Sequence, residues 1–158
     1  MSMYEYPVVN VTRGDGMVKR MRPNEDLVQG LHDWCKAIPD IYRTHIIEVG
    51  SWAGESALIF AEYFAEVVCI DDWKMPVPEG EGYTIEDVYR AFLDRVSTRV
   101  NIHWMRVPSF DGAKMYSDCN VPVVYLDAMH DEDSVHNNLI EWLPKIEKGG
   151  YIGGHDYG

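Results

Sequence analysis

The chain has 158 residues, of which 46% are hydrophobic, 12% aromatic and 25% charged, enough for one domain that buries roughly 70% of its unfolded surface. Fourteen Lys and Arg against 26 Asp and Glu leave a formal charge of −12, which repels phosphate backbones and anionic lipid and disfavours nucleic-acid and membrane partners. No apolar run approaches the ~20 residues of a membrane span, and Met1-Ser2-Met3-Tyr4-Glu5-Tyr6-Pro7 lacks the basic segment and apolar core of a signal peptide. Such a surface suits a neutral or cationic small ligand. Cys35, Cys69 and Cys119 are odd in number and far apart, so they form neither a disulfide framework nor a metal-ligand spacing and are expected as single buried thiols. The expected compartment is the cytoplasm.

Residues 1–23 read as an N-terminal arm of mixed polarity, with Gly14-Asp15-Gly16 marking a turn. The domain proper is expected over 24–158. Asn24 is a good N-cap, with Glu25 and Asp26 in the first turn. Leu27, Val28, Leu31, Trp34, Cys35 and Ile38 follow a helical period that Pro39 ends. From residue 45 short apolar runs alternate with amphipathic stretches. The runs are His45–Val49, Val67–Ile70, Val100–Val107, Val121–Leu126 and Tyr151–Ile152. Helix candidates lie near 54–65, 84–98, 109–116 and 131–147, with Thr84 and Ser109 as N-caps. Trp142, Leu143 and Ile146 fall at helical spacing and read as core. Near-continuous apolar strands separated by helices predict an α/β domain: a doubly wound, mostly parallel Rossmann-like sheet with helices on both faces.

Ligands in such sheets sit beyond the carboxyl ends of the strands. The first strand runs into Glu48-Val49-Gly50-Ser51-Trp52-Ala53-Gly54. Gly50 permits a sharp turn, and Gly54 lets the next helix start close to the sheet. A dinucleotide fingerprint would need glycines at 50, 52 and 55; Trp52 and Glu55 stand there instead, which argues against a pyrophosphate and so against NAD or FAD. Glu48 is a carboxylate placed to hold a cationic group. Asp71 follows Gly50 by 21 residues, where an acidic side chain takes ribose hydroxyls, with Asp72 and Trp73 beside it; Trp73 could cover a base ring. A solvated Asp71-Asp72 loop is the plainer alternative, but Glu48 and Asp71 in register favour a nucleoside ligand.

At these residues the chain resembles the class I S-adenosylmethionine-dependent methyltransferases, whose first motif is an acidic residue followed by Gly-x-x-x-Gly. The resemblance implies that Glu48, Gly50, Ser51 and Gly54 form the cofactor turn. Asp71 would take the ribose, Asp72 and Trp73 would lie near the adenosine, and Ser109 would contact adenine. A simple N-cap explains Ser109 equally well.

The fourth strand ends Leu126-Asp127-Ala128-Met129-His130, and the fifth region is Gly149-Gly150-Tyr151-Ile152-Gly153-Gly154-His155-Asp156. Asp127 and Asp156 could converge at the mouth into an oxygen-rich site for Mg²⁺ or another divalent cation. His130 could point into the same space as a general base. Read plainly, Asp127 and Asp131-Glu132-Asp133 are helix-start acids and His130 a surface residue. His136, Asn137 and Asn138, on the following helix, carry no assigned role. Asp-x-x-His, a helix, Gly-Gly-Tyr and a terminal aspartate resemble the macrocin- and mycinamicin-type sugar O-methyltransferases. That resemblance, over about residues 45–157, implies Asp127 and Asp156 as metal ligands and His130 as the residue that deprotonates the acceptor.

The expected function is transfer of a methyl group from S-adenosylmethionine to a hydroxyl of a small polyhydroxylated acceptor, a sugar among the candidates, with divalent-metal assistance. A cofactor-binding module without turnover is the alternative, and an NAD-dependent oxidoreductase is disfavoured. Class I methyltransferases resemble one another in carrying two further strands, so the chain is expected to lack the last two strands of that fold and to leave its fifth strand as an edge. An exposed edge needs cover. Either the segment is a truncated piece, which is favoured, or a second copy in a homo-oligomer supplies it.

Overall fold

In a computed structural model, the described residues are 10–12, 18–20, 25–129 and 131–155. Strand β1 (Asn10–Thr12) pairs antiparallel with β2 (Val18–Arg20). The arm thus contains a short hairpin, which periodicity over three-residue strands could not announce, and β1 lies against helix α3 (Ile85–Val96). The expected Gly14-Asp15-Gly16 turn and the Asn24 cap lie outside the described residues.

The remaining elements run α1 (Glu25–Ala37), β3 (His45–Val49), α2 (Glu55–Tyr63), β4 (Glu66–Asp71), α3, β5 (Ile102–Arg106), α4 (Ser109–Ala113), β6 (Val121–Leu126), α5 (Glu132–Trp142) and β7 (Ile146–Gly154). Their sheet has the order β5-β4-β3-β6-β7, and every neighbour pair in it is parallel. The chain winds outward from β3 to β5, then restarts at β6 on the other side. The switch point therefore falls between β3 and β6.

Alternation along β3 sends Ile46 into one core and Ile47 and Val49 into the other. The first core gathers Leu31 and Cys35 of α1, Phe60 of α2, Phe92 of α3 and Tyr125 of β6. The second joins Ile47, Val49, Ile70 and Val124 to Ala113 of α4 and Trp142 of α5. Both faces are covered, which is why the central strands read as near-continuous apolar runs, interrupted in β3 by Glu48.

Three expectations need correction. Helix α5 stops at Trp142, not near 147, because Pro144 lacks an N–H and cannot continue it; Leu143–Lys145 form a 3₁₀ turn and Ile146 opens β7. Leu143 is accordingly 52% exposed rather than core. Helix α4 ends at Ala113 instead of near 116. Finally, Cys35 and Cys69 are buried but Cys119 is exposed.

Thr84 caps α3 as expected. Its hydroxyl accepts from the Asp87 N–H while the Asp87 carboxylate accepts from the Thr84 N–H, a reciprocal box. Thr84→Ala should cost about 1 kcal/mol and lower the melting temperature by a few degrees; an unchanged melting curve would remove the cap as a contributor.

Candidate functional site

A cavity of about 640 Å³ opens at the carboxyl ends of the strands. It is bordered by Val49, Gly50 and Ser51 after β3, by Ile70, Asp71 and Asp72 at the end of β4, by Pro108, Ser109 and Phe110 at the start of α4, and by Asp127, Ala128 and Met129 after β6. It sits on the switch point, where a doubly wound sheet leaves a crevice.

The turn after β3 is built by close approach. Gly50 has φ +87°, and a Cβ there would fall 2.3 Å from the Asp127 carbonyl oxygen and 2.6 Å from the Ala128 backbone. No side chain fits while β3 and β6 remain adjacent. Gly54, φ +81°, starts α2 over the Phe92 ring, 3.0 Å from a Cβ placed there. It serves the packing of the turn and does not border the cavity.

Asp71 holds this turn. Its Oδ2 accepts from the Ser51 and Trp52 N–H groups at 2.9 and 3.0 Å, and its Oδ1 accepts from the Trp73 N–H at 2.7 Å. The Trp73 indole N–H donates to the Trp52 carbonyl at 2.8 Å. Trp52 and Trp73 both adopt left-handed backbone, φ +46° and +49°, a conformation that costs a side-chain-bearing residue of order 1 kcal/mol or more unless its surroundings hold it. Burial pushes the Asp71 pKa up, against the lowering effect of the three N–H groups. Asp71 therefore joins the ends of β3 and β4 besides facing the cavity.

Besides Gly54, two expected cofactor residues lie away from the cavity border. Trp73 is 1% exposed and packs in the core, its ring centroid 4.7 Å from those of Tyr89 and Phe92; it does not border the cavity because its left-handed backbone turns the ring inward. Glu48 is fully buried beneath the turn. Its Oε2 accepts from the Cys69 thiol at 3.4 Å, and burial raises its pKa to about 7. Asp72 borders the cavity and accepts from the Lys74 N–H.

Ser109 is not an N-cap: Pro108 occupies that position and makes no side-chain cap bond. The Ser109 hydroxyl instead donates to Asn138 Oδ1 and accepts from the Trp142 indole N–H. It thereby ties α4 to α5 at the cavity wall. Ser134, Asn137, Asn138 and Glu141, to which the sequence assigns no role, also border the cavity. Their i, i+3, i+4, i+7 spacing is a polar stripe on α5 and was a detectable signal. Met75, Phe110 and Met129, also at the cavity, are exposed apolar residues for which single positions gave no signal.

Asp127 borders the cavity, and His155 stands beside it with Nδ1 3.9 Å from Oδ1. His130 and Asp156 lie outside the described residues. Among the described residues, no three His, Cys, Asp or Glu side chains assemble into a metal-binding group. Asp127 and His155 are the donors that the described residues bring to this place. No described helix is long and apolar enough to cross a membrane.

Fold and cavity together define a doubly wound α/β protein with a crevice at its switch point. A family model described as a methyltransferase domain matches residues 47–157, and the chain belongs to that family. A search of the curated proteins finds no match. Among solved structures, a Corynebacterium glutamicum protein superposes with TM-score 0.61 at 17% identity, covering 85% of this chain and 59% of its own. Phosphoethanolamine N-methyltransferase 1 of Haemonchus contortus, solved with phosphoethanolamine and S-adenosylhomocysteine, gives 0.57 at 15% identity over 90% and 27%. The DhpI–SAM–HEP complex gives 0.57 at 15% over 84% and 55%. At these identities the likeness is one of fold, and the chain spans about three-fifths of the first of these structures.

Two outcomes follow from the turn. Asp71→Ala leaves three N–H groups without their acceptor and should cost at least about 2 kcal/mol, measured by urea unfolding. Glu48 behaves in the opposite sense to a paired carboxylate. Its folded pKa is raised from the ordinary 4.5 to about 7, so the fold favours the protonated form and loses stability as pH rises through that window. Glu48→Gln should match the wild type near pH 4.5 and exceed it at pH 8 by up to roughly 3 kcal/mol; equal stability at both pH values would contradict the buried-acid account.

Proposed function

We propose that the protein binds S-adenosylmethionine in the switch-point cavity and transfers its methyl group to a hydroxyl of a small polyhydroxylated acceptor, a sugar being the class favoured by the Asp127-to-Asp156 resemblance. The observation that carries the reading is the cavity's position over a Gly50 turn that admits no side chain, with Asp71 and Asp72 at the neighbouring strand end. In this reading the methionine part lies along Gly50 and Ser51. Ribose hydroxyls donate to Asp72 and to Asp71, whose carboxylate retains an acceptor site after its three N–H bonds. The base lies toward Pro108 and Phe110, with Ser109 holding that wall in place.

The sulfonium is already an excellent leaving group, so the protein's work is to align the acceptor oxygen with the methyl carbon and to remove one proton. The oxygen's electron pair forms the new O–CH₃ bond, the C–S pair returns to sulfur as neutral S-adenosylhomocysteine, and the hydroxyl proton goes to a base. His130 is the base in this proposal, on the strength of the Asp-x-x-His resemblance. A divalent cation, which that resemblance also implies, would be held by Asp127 and Asp156 and would lower the pKa of the acceptor hydroxyl.

Turnover is read as S-adenosylhomocysteine release with a panel of glycosides and catechols. His130→Ala should lower turnover by about 10²-fold or more while leaving cofactor affinity within about twofold. Tight cofactor binding with no release on any hydroxylated acceptor would leave a binding module in place of an enzyme.

A further inference from the structure

Glu48 is fully buried, lies at the end of a central strand, and does not itself border the cavity. Its flanking partners in the sheet are Cys69 on β4 and Tyr125 on β6. The groups around it are acidic or neutral: Cys69, whose thiol burial holds protonated, Asp71 beyond it, Asp127 at the end of β6, Tyr125, and Ser56 of α2, next to Glu55. The Asp127 charge raises the Glu48 pKa further, and Arg95 of α3 acts on Glu55 and donates to the Ala53 carbonyl. The hydroxyls of Ser51 and Ser56 stand beside the carboxyl and temper its shift. Yet Glu48 Oε1 and the Ser51 hydroxyl, the latter on a residue only 2% exposed, are not aligned into a hydrogen bond and remain without a partner. Ser51 and Ser56 also border the cavity, so the carboxyl lies one side-chain layer below whatever the cavity holds.

Burial outweighs the Ser56, Ser51 and Cys69 donors around this carboxyl, so a cation entering the cavity above it favours the ionised form. We propose that Glu48 determines specificity for the charge of the cofactor, favouring the cationic sulfonium donor over the neutral thioether product through the Gly50–Ser51 turn. This rests on the S-adenosylmethionine reading of the cavity. Donor and product share every other group, and they differ by one methyl and one positive charge on sulfur. The donor draws the proton off Glu48 as it binds, and the product does so less. Once the methyl has left, the carboxyl re-protonates and the product's hold on the site weakens.

The test is calorimetric titration of the wild type and Glu48→Gln with S-adenosylmethionine and with S-adenosylhomocysteine at pH 6 and pH 8. The sign is fixed by linkage: the donor favours ionised Glu48, so its advantage over the product grows as pH rises through 7. If the cation lowers the Glu48 pKa by about one unit, the affinity ratio rises about fivefold over that range. In Glu48→Gln this rise should be absent. The ligands' amino groups titrate alike against both proteins, so the difference between the proteins isolates Glu48. A second measurement needs no variant: at pH 6, where the amino groups of both ligands are protonated, titration in phosphate and in bis-Tris should show the donor releasing more protons on binding the wild type than the product does. Equal proton release by both ligands, or the same pH dependence in both proteins, would overturn the proposal. Failure of both ligands to bind the wild type would overturn the cofactor reading and this inference with it.

Discussion

The Asp71 carboxylate is the interaction on which the site depends. It accepts N–H groups from Ser51, Trp52 and Trp73, and so joins the turn that leaves β3 to the turn that leaves β4. Two tryptophans are thereby kept in left-handed backbone, a state that neither side chain would hold alone. One consequence is the position of the rings: Trp73 turns into the core against Tyr89 and Phe92, while Trp52 stays at the cavity. The second consequence is the open floor of the crevice, where Gly50 passes against the Asp127–Ala128 backbone. A carboxylate that reads as a ligand contact is therefore also the brace of the pocket that holds the ligand.

Electrostatics divides the acids at this end of the sheet into two kinds. Asp72 and Asp127 stand at the cavity border. Glu48 lies below the floor, where burial rather than a partner sets its protonation. A cavity edged by carboxylates above a neutral acid suits a ligand with a positive centre, in keeping with the acidic balance of the whole chain. The polar stripe of α5 closes the opposite wall, with Asn138 fixed by the Ser109 hydroxyl and Ser109 in turn fixed by the Trp142 indole.

Much of the fold was legible because both sheet faces are covered. His45–Val49 and Val121–Leu126 agree residue for residue with β3 and β6, since strands buried on both sides show near-continuous apolar runs. Legibility falls where tertiary geometry decides. The three-residue strands of the arm are too short for any period, and the end of α5 turned on one proline inside an otherwise helical pattern. Trp73 read as a ring for a base, because sequence does not reveal that its backbone φ is positive. Ser109 read equally as a cap, because the Asn138 and Trp142 side chains that engage it are 29 and 33 residues away. The glycine turn and the Asp71 spacing were visible; the three N–H bonds that give Asp71 its structural role were not.

The central claim is that the crevice over Gly50 holds the adenosyl and methionine parts of one ligand. A crystal structure of the protein soaked with S-adenosylhomocysteine tests it most directly. The account predicts continuous ligand density from the Gly50–Ser51 turn to Phe110, with ribose hydroxyls at Asp71 or Asp72 and the Asp71 bonds to Ser51 and Trp52 intact. Density elsewhere on the protein, or a ribose reached only after those two bonds break, would contradict it.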